Sequence, residues 1–141
     1  MRIFFDSTVE TQYDEKFFLP IADKIAEFVK FEPEAELSLT LTDNEMIRRL
    51  NLQYRGKDSA TDVLSFPMGE TLILGDIVIS MESAEKQAFE FDITLDMEVA
   101  FLFIHAFLHL LGFDHENSVE DENNMYDLQE DILRRWEAER L

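Results

Sequence analysis

Cysteine is absent from these 141 residues, which excludes disulfides and thiolate metal ligands and agrees with a reducing, cytoplasmic location. Four glycines and three prolines leave nothing like a Gly/Pro-rich linker, and neither a repeat nor a low-complexity tract is visible. Basic residues are scarce. Twelve Lys and Arg face 31 Asp and Glu, and a net charge of −19 argues against indiscriminate binding to polyanions. The longest apolar stretch, Val99 to Leu111, falls short of the ~20 residues of a membrane span and is interrupted by two histidines. The opening MRIFFDSTVETQYDEK has neither the apolar run nor the small-residue cleavage site of a secretory signal, so no membrane or export role is expected.

What is present suffices for one packed core. An apolar content of 46% with thirteen phenylalanines predicts a single domain over 1–141. Arg2 to Phe5 reads as a short edge strand. Phe17, Phe18, Ile21, Ala22, Ile25, Phe28 and Val29 then recur at helical spacing, with Pro20 marking a start or a kink. Leu37, Leu39 and Leu41 alternate with Ser38, Thr40 and Thr42 as a half-buried strand does, and Asp43 is placed to cap a following helix. Val63–Phe66 and Leu72–Ile79 read as strands, the second broken at Gly75 and Asp76, and Glu82–Phe89 as a helix. Asp96–Leu111 is apolar nearly all round and so belongs at the centre of the domain. A last helix is expected from Ser118 or Glu120, with Met125, Leu128, Ile132 and Trp136 on one side. The expected class is α+β: about four strands in a mixed sheet, packed with helices, around an apolar helix that carries two histidines.

The three histidines all fall in HAFLHLLGFDH, within eleven residues. In a helix, His105 and His109 project from one face about a turn apart. Gly112 can end that helix in the left-handed conformation and return His115 toward the other two rings. Three nitrogen ligands leave a tetrahedral ion one open position, and neutral imidazoles preserve its Lewis acidity toward water. The structural alternative, three buried imidazoles, would need partners for polar nitrogens at about 1 to 3 kcal/mol each. The spacing H-x-x-x-H-x-x-G-x-x-H is also that of metzincin proteases, but the glutamate those use as base is replaced by Ala106. Asp114 could orient an imidazole from outside the ligand set, pull on the bound water, or cap the next helix.

Four of the twelve cations, Arg48, Arg49, Arg55 and Lys57, lie within ten residues, whereas Asp96 to Asp131 has none. The strip leads into YRGKDSATDVLSFP. Arg55 offers a planar fork of donors for phosphate oxygens and for charge developing in phosphoryl chemistry, and Lys57 a point charge. The other reading is a solvated turn bent at Gly56 and tied by Asp58, Ser59 and Thr61. In LGDIVIS, Asp76 is expected to serve a structural purpose at a strand start.

Taken together, HAFLHLLGFDH, YRGKDSATDVLSFP and LGDIVIS resemble, in order, the motifs of the YbeY family of bacterial ribosomal RNA maturation factors. Ala106 stands where that family usually has glycine and Phe113 where it usually has tyrosine. The resemblance implies a zinc-dependent endoribonuclease with one Zn²⁺, acting on single-stranded RNA. It further implies work in small-subunit ribosomal RNA maturation and ribosome quality control, with the ribosome or its proteins as partners. It assigns the metal to His105, His109 and His115, and catalysis or substrate binding to Arg55. Two alternatives stand beside it: a metal-dependent hydrolase of another substrate such as a peptide, and a non-catalytic ribosome assembly factor whose zinc only holds the His115 loop.

Overall fold

The computed structural model describes residues 1–113 and 119–140, without the side chains of 119 and 121. Its strands are β1 (Arg2–Ser7), β2 (Glu36–Thr42), β3 (Val63–Pro67) and β4 (Ile73–Ser80). Its helices are α1 (Glu15–Phe28), α2 (Asn44–Arg55), α3 (Met81–Phe91), α4 (Leu95–Leu110) and α5 (Val119–Arg140). The sheet order is β1-β2-β4-β3, with β1, β2 and β4 parallel and β3 antiparallel to β4. This is the expected mixed four-stranded α+β domain, with β1 at an edge. Among the described residues no single helix is long and apolar enough to cross a membrane.

Alternation decides which face each strand presents. Leu37, Leu39 and Leu41 of β2 and Ile77 and Ile79 of β4 point into the main core, where α1 and α4 bring Phe18, Ile21, Ile25, Phe103 and Phe107. On the other face, α2 sets Ile47 against Leu64 and Val78. Helix α4 buries residues on every side, from Val99 through Leu102, Phe103 and Ile104 to Phe107 and Leu108. Each such side chain contributes about 1.5–3 kcal/mol by leaving water, so α4 is the rigid post on which its histidines stand.

Two boundaries differ from the sequence expectation. α1 starts at Glu15 because Asp14 caps it, its carboxylate accepting from the Lys16 amide at 2.9 Å. Pro20 therefore lies inside the helix, on its exposed side, where the carbonyl left without a donor costs least. β4 is not broken at Gly75 and Asp76, which pair with Pro67 and Phe66 of β3. Gly75 takes φ +139°, and a Cβ there would lie 2.2 Å from the Phe66 carbonyl oxygen, so only glycine lets β3 and β4 meet at this point. Asp76 thus sits mid-strand on the α2 face, half-buried beside Ser38 and Tyr54, and not at a strand start.

Candidate metal centre and RNA site

The last two turns of α4 carry His105 and His109, both half-buried. Their Nε2 atoms are 3.1 Å apart, with ring centroids at 4.6 Å and ring planes at 76°. Two nitrogens on one tetrahedral ion at 2.0–2.1 Å would be about 3.3 Å apart, so the pair fits one ion with little adjustment. The position favours a cation, because the dipole of α4 puts partial negative charge at its C-terminal end. The turn that follows is the expected one. Gly112 adopts φ +97° and donates to the His109 carbonyl at 3.0 Å, while the Phe113 amide donates to the Leu108 carbonyl at 3.0 Å. His115 and Asp114 lie outside the described residues. Among the described residues no three His, Asp or Glu side chains come together to hold a metal.

Arg55 reaches the same place from the opposite layer. It is the last residue of α2, ended by Gly56 at φ +69°, and its Nη2 donates to the Ser65 carbonyl at 3.1 Å. Together with Thr61, Asp62, Ala106 and the two histidines it lines a cavity of roughly 240 Å³. Residues 50 positions apart in sequence are thereby gathered around one opening. Lys57 is exposed and is not part of that lining.

The basic strip is less basic than its composition. Arg48 makes a two-pronged pair with Asp58 at 2.6 and 3.1 Å, and Arg49 pairs with Glu45 at 2.7 Å. The Arg48 bond holds the Asp58 carboxyl below its usual range. Asn51 donates to the Ser59 carbonyl at 2.9 Å, so the loop after Gly56 is tied back to α2 through its backbone. Two cations remain at the active end, Arg55 and Lys57, and among the described residues neither makes an ion pair.

Three polar residues of this region, Asp62, Gln129 and Glu98, carry no signal in the local sequence pattern of the histidine motif. Asp62 immediately precedes β3, accepts from Gln87 Nε2 at 3.2 Å, and belongs to the cavity wall. Gln129 of α5 places Oε1 3.1 Å from His105 Nδ1 and is 4% exposed. Its signal was a lone amide on the apolar side of α5, between Met125 and Ile132. Glu98, also 4% exposed, lies two turns before His105 on α4. Burial, and secondly the negative charge of Asp62, push its carboxyl up to about 7. The folded state then holds a proton that the unfolded chain releases above its ordinary value near 4.5, so stability falls as pH rises from about 4.5 to 7. At 1.36 kcal/mol per pKa unit the loss is about 3 kcal/mol. Glu98→Gln, which keeps the shape without the charge, is expected to match the wild type at pH 4.5 and exceed its stability at pH 8 by up to about that amount. Urea midpoints at the two pH values measure this, and equal midpoints at pH 8 would contradict it.

Comparison with known proteins agrees with the family resemblance. The family described as Endoribonuclease YbeY matches residues 5–137. An endoribonuclease YbeY of Sulfurihydrogenibium sp. is 46% identical over 130 residues, covering 89% of this chain and 85% of its own. That of Syntrophomonas wolfei is 41% identical over 143 residues, covering 92% and 91%. The solution structure of TM1509 from Thermotoga maritima superposes with a TM-score of 0.69 at 30% identity, covering 97% of this chain and 90% of that one. The chain belongs to the YbeY family of endoribonucleases.

Proposed function

We propose that this chain is a cytoplasmic, metal-dependent endoribonuclease that cuts single-stranded RNA during maturation of small-subunit ribosomal RNA and in ribosome quality control. The observation that carries the reading is the single cavity in which Arg55, Asp62, His105 and His109 meet. His105 and His109, joined by His115, would hold one divalent ion, zinc by the chemistry of three nitrogens. Such an ion supplies Lewis acidity toward a phosphate oxygen or a water. In this reading Asp114 would be an outer residue that orients an imidazole.

The remaining chemistry belongs to the side chains. Arg55 spends one N–H on the Ser65 carbonyl and keeps others for the phosphate, where its fork stabilises charge as the phosphodiester is broken. Lys57, outside the cavity, adds a point charge along the strand. Asp62 is the carboxylate in the lining that can take a proton from the attacking oxygen. If that oxygen is the ribose 2′-OH, the product carries a cyclic phosphate and DNA is not cut; if it is water, the ends are linear. With Arg55 and Lys57 the cations of the basic strip that make no ion pair among the described residues, on a chain of charge −19, affinity for RNA is expected to be weak and to fall with salt.

Incubation with unstructured RNA and with casein, each with and without chelator, tests the reading. RNA should be cut and casein left intact, and chelator should stop cleavage while the circular dichroism of the fold persists. Proteolysis without RNA cleavage would establish the peptide hydrolase instead. Absence of cleavage, with unfolding on metal removal, would establish the structural zinc of an assembly factor.

A further inference from the structure

His105 stands between two cavities. On one side is the opening it shares with Arg55; on the other is a space of roughly 210 Å³ walled by Asp62, Leu102, Tyr126 and Gln129. A ring in that position can serve the first cavity only if its Nε2 lone pair faces His109 and its Nδ1 carries the proton. In solution the two neutral tautomers of imidazole lie close in energy, so a neighbour has to choose.

We propose that Gln129 is the positioning residue that makes this choice, and that α5 thereby sets the metal affinity of a centre built on α4. The amide oxygen of Gln129 lies 3.1 Å from His105 Nδ1, and a carbonyl oxygen can only accept. Accepting there places the proton on Nδ1, keeps the Nε2 lone pair on the side that faces His109, and holds the ring from turning into the second cavity. The side chain is committed to this place. Gln129 is 4% exposed on the side of α5 that also buries Met125, Ile132 and Trp136, so an amide without a partner would cost about 1–3 kcal/mol there. A leucine or methionine would suit that stripe better on packing grounds alone. The bond also joins residues 24 apart in sequence, from different helices, so metal affinity becomes a property of how α5 docks and not of the histidine motif alone.

The inference rests on the metal reading proposed above, and the test separates the two. Metal-free wild type, Gln129→Met, Gln129→Leu and Gln129→Glu are titrated with Zn²⁺ against a chromophoric competitor, and the visible spectrum of each Co²⁺ form is recorded. Methionine and leucine fill the space without an acceptor and should weaken Zn²⁺ binding about 10- to 100-fold, the usual effect of losing such an outer partner. Glutamate, which accepts the same bond, should restore binding to within a few-fold of wild type, with a Co²⁺ spectrum like that of wild type. Urea unfolding of the metal-free forms shows whether an affinity change follows the bond or the fold. Wild-type affinity in the methionine or leucine variant, or a glutamate variant as weak as they are, overturns the inference while leaving the metal centre standing. If wild type itself takes up no Zn²⁺, the metal reading fails and this inference falls with it.

Discussion

Replacing His109 with alanine is expected to strip the protein of stoichiometric metal and to lower RNA cleavage by about three orders of magnitude or more. The size follows from what is lost: Lewis-acid stabilisation of several kcal/mol, at a tenfold change in rate for each 1.36 kcal/mol. The fold should survive. His109 is half-buried in the last turn of α4, alanine is the best helix former, and the helix keeps its apolar contacts from Val99 to Leu108. Metal analysis of the purified variant, beside its thermal unfolding and single-turnover cleavage of a labelled RNA, checks all three parts. Wild-type metal content in His109→Ala would remove the basis of the catalytic reading, because the 3.1 Å approach of the two Nε2 atoms would then be a plain hydrogen bond.

Arg55→Ala separates catalysis from structural support. Loss of one preorganised donor to a transition-state oxyanion typically costs about 10²–10³ in kcat, and that loss is expected here with metal content and thermal stability unchanged. Arg55 is exposed at a helix end, so its removal leaves the core intact. Arg55→Lys should recover part of the rate, because charge returns but the planar fork does not. A chain that serves only as a zinc-held scaffold would tolerate both substitutions. Full cleavage by Arg55→Ala would therefore overturn the role given to this arginine and leave the metal centre untouched.

Much of this was readable from local pattern. The alternation of Leu37, Leu39 and Leu41 returned as β2, with all three leucines buried, and Asp43 caps α2 through the Met46 amide at 2.9 Å. The all-round apolar run became α4, and Gly112 took the positive φ its place after the histidines called for. These features depend on residues within a turn or a strand of one another, where periodicity and capping decide the outcome. β4 shows where that reasoning stops. Gly75 looked like a break because glycine weakens an isolated strand, yet it is the residue that permits the close approach of Phe66.

The surroundings of the site could not be inferred in the same way. Asp62, Glu98 and Gln129 are common residue types in three separate segments, and nothing near each in sequence tells what it will face. Their significance comes from packing: one carboxylate enters the cavity, one is buried on α4 within reach of the first one's charge, and one amide reaches the His105 ring. Residue order alone decided the family and the α+β class, because motif spacing and hydrophobic period are local quantities. Which cations stay unpaired, which carboxyl keeps its proton near neutral pH and which helix steadies His105 were decided only when the chain closed on itself, since burial and charge proximity exist only between segments brought together.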